Sequence, residues 1–288
     1  MGNYKKPKVR IHREFLYLNH DTIINSLSAF ESGKVDEIIQ KASEASEGGL
    51  DGSIGYGPVK AGGKKTSTKN VQEELVLTRT KFSAFDAWFG HLDAADALGV
   101  LEGWDADTRE ELGVGETVRL EAHVALAPLY QIFNTFISFA NEASNPDSVF
   151  KQKAADVAET KKTARQMLGW MKGKGDAKNI LVELNPFGVS DPKVVARLDE
   201  RYLVAGAQAI EGQYTIIGQI EHLLVPEEKV PSIRIIRDAP PTELETSTIT
   251  EALRNFIEPA AALGVTVEES DIRLEYPTVI LHPIAIFR

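Results

Sequence analysis

The chain contains no cysteine, which excludes disulfides, thiolate catalysis, iron–sulfur clusters and cysteine-based zinc sites together. Long hydrophobic runs are missing as well. The longest apolar stretches, around 133–140 and 277–287, fall far short of the ~20 residues a membrane-spanning helix needs. There is no basic excess: Lys and Arg number 32 against 42 Asp and Glu, giving a net charge of −10 and a pI near 5.2. That balance argues against a general nucleic-acid binder. The basic lead, residues 1–10, has no apolar stretch behind it and does not read as a secretory signal. Lys6 stands where a myristoylation signal after Gly2 wants Ser or Thr. The cytoplasm is the expected compartment.

What is present is ordinary globular material. The 288 residues are 43% apolar and 26% charged, enough for one large or two modest domains. Residues 13–18 read as a strand, with Phe15 and Tyr17 on one side and Leu16 and Leu18 on the other. Asp21 is placed to cap a short helix carrying Ile23, Ile24, Leu27 and Phe30, ended by Gly33. Residues 35–45 and 75–81 read as extended arms of a hairpin. Its tip, 48–70, holds Gly48, Gly49, Gly52, Gly55, Gly57, Gly62 and Gly63. Such a tract buries too little apolar surface to offset its ordering entropy, so a mobile loop is expected.

Further on, Ser83 and Asp86 have capping-box spacing ahead of Phe85, Trp88, Phe89, Leu92 and Ala95, with Gly99 as the stop. Residues 116–126 alternate as a strand. Pro128 opens a helix bearing Leu129, Ile132, Phe133, Phe136 and Ile137. A helix over 148–171, thin in large apolar residues, is predicted to connect two halves. Strands are then expected at 180–184, 202–205, 214–225, 233–236 and 278–287. Pro283 marks the last as an edge strand or a bulge. A helix capped by Thr248 and Glu251 precedes it, with Ile249, Leu253, Phe256 and Ile257 on its apolar face.

The chemical motifs fail on specific requirements. Residues 57–66 approach a phosphate loop, but starting from Pro58 the hydroxyl position after Gly63-Lys64 is Lys65. Residues 51–55 lack the glycine two places before Ser53 that a nucleophile elbow needs. The six histidines, His12, His20, His91, His123, His222 and His282, form no His-x-x-x-His pair. His12, Glu14, His20 and Asp21 are the only local cluster with ligand chemistry, and Asp21 belongs to the next helix, so no metal is expected. His222 and His282 fall in strands, as hydrogen-bonded structural imidazoles. His91, Asp93 and Asp96 share a helix at spacings that do not make a dyad. The paired carboxylates Glu73-Glu74, Glu110-Glu111 and Glu268-Glu269 with Asp271 read as solvated faces. Over 151–178, Lys151, Lys153, Lys161, Lys162, Arg165, Lys172, Lys174 and Lys178 outweigh Asp156, Glu159 and Asp176. This is a positive stretch in an acidic chain, either a docking patch or a solvated helix face.

Three landmarks carry a resemblance. Arg13-Glu14-Phe15-Leu16-Tyr17-Leu18, the tract Gly57-Pro58-Val59-Lys60-Ala61-Gly62-Gly63-Lys64, and the ending Pro283-Ile284-Ala285-Ile286-Phe287 resemble an uncharacterised bacterial family defined only by a domain of unknown function. The resemblance implies a bacterial or phage setting, sometimes in accessory or defence-type neighbourhoods. It implies no activity, cofactor or catalytic residue.

The expected architecture is α+β in two lobes, antiparallel sheets with packed helices joined by a long helix. Residues 8–145 form the first lobe with its glycine-rich loop, 146–176 the connector helix, and 177–288 a strand-rich second lobe. The leading functional expectation is a non-enzymatic binding or regulatory protein, with another protein as partner, no cofactor, and self-association left open. Its contact residues would be Lys60, Lys64 and Lys65 on the loop and Lys161, Lys162 and Arg165 on the helix. One alternative is an enzyme whose site is assembled from sequence-distant residues, with His12, Glu14 and His91 first to test. The other is a membrane-active protein whose two arms extend into a longer hairpin, against which Glu37, Lys41, Glu44 and Glu47 on one arm and Lys69, Glu73, Glu74 and Arg79 on the other interrupt the apolar alternation.

Overall fold

The computed structural model describes residues 13–30, 67–149, 151–172, 177–206, 209–237, 241–254, 257, 261 and 265–288. The chain divides into two units, Asn19–Ala97 and Met1–Leu18 with Leu98–Arg288.

In the smaller unit, helix α1 (His20–Phe30) buries Ile23 and Leu27. It packs against α2 (Ser67–Ala94), whose Phe85, Trp88 and Leu92 are buried at helical spacing. The cap of α1 is Asn19 and not Asp21: the Asn19 Oδ1 accepts from the Thr22 N–H at 3.2 Å. Helix α2 closes with Ala97 N–H donating to Leu92 O (2.9 Å) and Asp96 N–H to Asp93 O (3.3 Å). Asp96 has φ +50°, the left-handed position of a Schellman end. Residues 75–81 are therefore helical, and Ser83 lies inside the helix and does not cap it. Gln72, Glu73, Glu74, Leu75 and Leu77 are good helix formers, and they prevail over β-branched Val76, Thr78 and Thr80. The expected hairpin loses that arm. Its other arm, 35–45, and the loop 48–66 lie outside the described residues.

The larger unit is built on a mixed sheet. Strand β1 (Phe15–Leu18) is followed by β2 (Gly99–Val100), helix α3 (Ala106–Glu111) and β3 (Thr117–Leu126). Helices α4 (Pro128–Glu142) and α5 (Ala154–Trp170) lead to β4 (Asn179–Pro186), β5 (Val194–Asp199) and β6 (Gly212–Leu223). The remaining elements are β7 (Lys229–Pro231), α6 (Ser232–Ile236), α7 (Glu243–Arg254), α8 (Glu269–Ile272), β8 (Arg273–Glu275) and β9 (Val279–Phe287). Strand β3 pairs with β4 and β6, β4 with β5, and β9 with both β5 and β6. Five strands thus close into a ring, β3-β4-β5-β9-β6. Only β5 and β9 run parallel within it. This is the strand order of a five-stranded OB-type Greek-key barrel.

Period-two alternation fills the ring. Val118, Leu120, Ala122 and Val124 face Ile180, Val182, Leu184, Val194, Ala196, Leu198, Tyr214, Ile216, Ile220, Val279, Leu281 and Ile286 in one buried cluster. Each fully buried aliphatic side chain contributes roughly 1.5–3 kcal/mol. Pro283 sits in a central strand, not at an edge. Gly218 opposes Pro283 and Ile217 opposes Ala285, which leaves Ile284 as the extra residue of a bulge. All four residues of β1 are buried, and Tyr17 meets the Tyr202 ring edge-on at 6.1 Å.

Pro128 opens α4 at its first turn, as expected. Helix α5 starts later than 148 and buries Ala164 and Met167. It lies against α4, where Trp170 contacts Phe133 at 5.8 Å. Strands from the stretches 8–145 and 177–288 share one sheet, so the sheet crosses the boundary expected at 146–176; β3 pairs with β2 in the earlier stretch and with β4 and β6 in the later one. Residues 233–236 are helical in α6 and not a strand. The segment 202–205 is a 3-10 turn, Glu200–Tyr202, followed by a single bridge from Leu203 to Tyr17. The capping box of α7 is Thr242 with Glu245, whose N–H donates to Thr242 Oγ1 at 3.2 Å. Thr248 lies mid-helix with its hydroxyl on Leu244 O (2.8 Å).

Candidate functional site

Residues alternating with the barrel interior point outward: Val195 and Arg197 on β5, Ile280 and His282 on β9. Val195 and Ile280 join Leu224, Val230 and Leu274 in a small second core beneath the β7–β8 pair. Beside this core opens a cavity of about 450 Å³. Arg197 comes from β5, Glu221 and His222 from the end of β6, and Glu228 from the turn into β7. Arg234 and Arg237 come from α6 and its C-terminal cap. Val230, Ile235 and Ile280 supply its apolar surface.

Arg234 and Arg237 stand three residues apart on one helical turn, so they share a side. His222 Nε2 lies 2.8 Å from both oxygens of Glu228. Arg237 Nη1 is 3.8 Å from Glu245 Oε1. Burial holds the His282 imidazole below its ordinary value, opposed by the charge of Glu221 and aided by that of Arg197. Three guanidinium groups and an imidazole thus converge with two carboxylates in a chain whose net charge is −10. No Phe, Tyr or Trp lines the cavity among the described residues. Such a wall holds anions through charge-assisted hydrogen bonds.

A second cavity, about 580 Å³, is bordered by Glu183, Lys193, Asp271 and Arg273. Several of its charges are paired. Lys193 Nζ lies 2.7 Å from Glu183 and 2.6 Å from Asp271, tying β4 and the approach to β5 to α8. Glu269 pairs with Arg254, and Glu275 with Lys229 at 2.7 Å. Asp271, expected on a solvated face, is buried. The Arg273 Nε is buried with no hydrogen-bond partner among the described residues. Lys193, Glu183 and Asp271 form a structural charge lock at its border.

Of the residues singled out from sequence, those described lie on several elements. Lys60, Lys64 and Lys65 lie outside the described residues, as do His12 and the motifs at 51–55 and 57–66. Lys162 and Arg165 are exposed on α5 and Lys161 is half-buried; none of the three lines either cavity. Glu14 pairs through its backbone with Arg288. His91 stacks on Phe30 at 5.6 Å, and His20 Nε2 lies 3.2 Å from Asp21. Among the described residues no group of three or more His, Asp or Glu side chains could hold a metal ion, and no helix is long and apolar enough to cross a membrane. Sequence reasoning missed Arg197, Arg234 and Arg237. The one local signal was the spacing Arg234-Ile235-Ile236-Arg237, which puts both arginines on one side only if the segment is helical.

Residues 12–287 match the family described as a domain of unknown function, DUF6414. The chain belongs to this family. No curated protein and no solved structure matches it. The DUF6414 match spans both units and brings no activity with it, so function in this DUF6414 chain has to be argued from the cavity itself.

Proposed function

We propose that this protein is a non-enzymatic binding or regulatory protein that takes up a small anionic ligand in the cavity beside β5 and α6. The observation that carries the reading is the convergence of Arg197, Arg234 and Arg237 on one cavity of about 450 Å³, within the size range of ligand sites. Fold-level analogy adds support. In OB-type barrels, ligands occupy the outer face of the second and third strands and the loop between the fourth and fifth. Here the third strand is β5, which supplies Arg197, and the β6–β9 connection supplies Arg234 and Arg237.

Titration calorimetry of the full chain with pyrophosphate at low ionic strength tests it. Binding should weaken steeply on adding salt. Arg234→Ala, at an exposed position, should lower affinity about tenfold, in line with the loss of one charge-assisted hydrogen bond of roughly 1.5–3 kcal/mol. The absence of any binding, or equal binding by Arg234→Ala, overturns the reading.

A second reading is favoured by the exposure of Lys162 and Arg165 on α5. They would dock an acidic protein partner, with Lys161 beside them and Lys60, Lys64 and Lys65 contributing from the glycine-rich tract. Reversing Lys162 and Arg165 to Glu should abolish partner capture in a pull-down and leave the unfolding free energy within about 0.5 kcal/mol of wild type. Unchanged capture removes this reading.

A further inference from the structure

The cavity beside β5 and α6 is lined by two chemically distinct sets of charged side chains. One is cationic, from Arg234 and Arg237 on α6 and Arg197 on β5. The other is anionic, from Glu221 at the end of β6 and Glu228 in the turn that follows. A site meant only for a simple anion gains nothing from the second set, because carboxylates repel the ligand. Both carboxylates nevertheless border the same space, which Ile280, Val230 and Ile235 also line. Glu228 is already held by His222 at 2.8 Å, so it is a fixed acceptor and not a mobile surface charge.

We infer that the ligand is a phosphate monoester of a polyol, such as a sugar phosphate, with its phosphate on the arginines and its hydroxyls donating to Glu221 and Glu228. This deepens the anion-binding reading and rests on it. Carboxylates are the side chains that accept from sugar hydroxyls while guanidinium groups grip phosphate oxygens. The apolar patch meets the C–H face of the sugar. A nucleobase is not needed for recognition, since no aromatic side chain among the described residues lines the cavity to stack on one. The volume of about 450 Å³ leaves room for the ligand and bridging water.

Calorimetry on the full chain compares inorganic phosphate, ribose 5-phosphate and phosphoethanolamine against wild type, Glu221→Gln and Glu228→Gln. Ribose 5-phosphate should bind at least tenfold more tightly than phosphate to the wild type. Either glutamine variant should lose most of that advantage while keeping or improving its affinity for phosphate. Circular dichroism confirms that both variants fold; should Glu228→Gln fail because His222 is released, exposed Glu221 still decides the question. Equal affinity for phosphate and ribose 5-phosphate overturns the polyol assignment alone and leaves anion binding standing. So does a preference for phosphoethanolamine, or an advantage that survives both substitutions. If no phosphate compound binds, both readings fall together.

Discussion

Replacing Gly218 by valine should destabilise the protein by about 3 kcal/mol or more, near the upper end for overpacking a filled core. Gly218 belongs to the inward row of β6, opposite Val118 on one side and Pro283 on the other. A Cβ there would sit 2.9 Å from the His282 carbonyl oxygen and 2.9 Å from Leu281 Cγ and Cδ2. The first contact is with backbone, so no rotamer change relieves it. It falls at the bulge where β9 turns Pro283 past β6, and that seam is what closes the ring. Urea unfolding should show a lower midpoint with an unchanged slope if the variant keeps the same fold. Alanine at the same position should show a smaller loss in the same direction. Gly169 on α5 serves as the control, because a Cβ there meets nothing within 4 Å. If Gly218→Val unfolds at the wild-type midpoint, β6 and β9 do not pair as described.

The seam also marks how far sequence pattern reaches. Alternation in 116–126 was legible because that strand buries one row of residues and the period of two is local information, while 180–184, 214–225 and 278–287 were legible as β-rich runs. Pro128 and the stripe behind it were legible for the same reason. Strand β5 could have been found, since Val194, Ala196 and Leu198 alternate directly after Ser190-Asp191-Pro192, a turn signal. Ring closure could not. It depends on β9 pairing with strands far earlier in the chain, and a strand buried on both sides carries no mark of its partner. The cavity was hidden by one wrong period. As a strand, 233–236 would send residues three apart to opposite faces; as the helix α6, the same spacing gathers Arg234 and Arg237 together. With Arg197 and Glu221 contributed by β5 and β6, the site exists only after the barrel has formed.

Lys193→Met should cost roughly 2–4 kcal/mol at neutral pH, somewhat below the figure for breaking a fully buried ion pair, because Lys193 and Glu183 each keep about a fifth of their side chains exposed. The wild-type ammonium is held by two carboxylates, at 2.7 Å and 2.6 Å. Burial by itself would lower its pKa, but Glu183 and Asp271 outweigh burial and leave it raised. A lysine whose pKa is raised on folding contributes stability that is complete below the unfolded value of about 10.4 and is lost as pH climbs through the folded value. In the methionine variant the two carboxylates that shared one cation are left without it. The stability gap between wild type and Lys193→Met should therefore be fully present at neutral pH. It should narrow in strong alkali as Lys193 itself discharges. Urea midpoints at neutral and strongly alkaline pH measure the gap directly. A gap that stays constant across that range would mean the loss comes from packing of the lysine stem alone, and the charge lock joining β4, β5 and α8 would then hold nothing together.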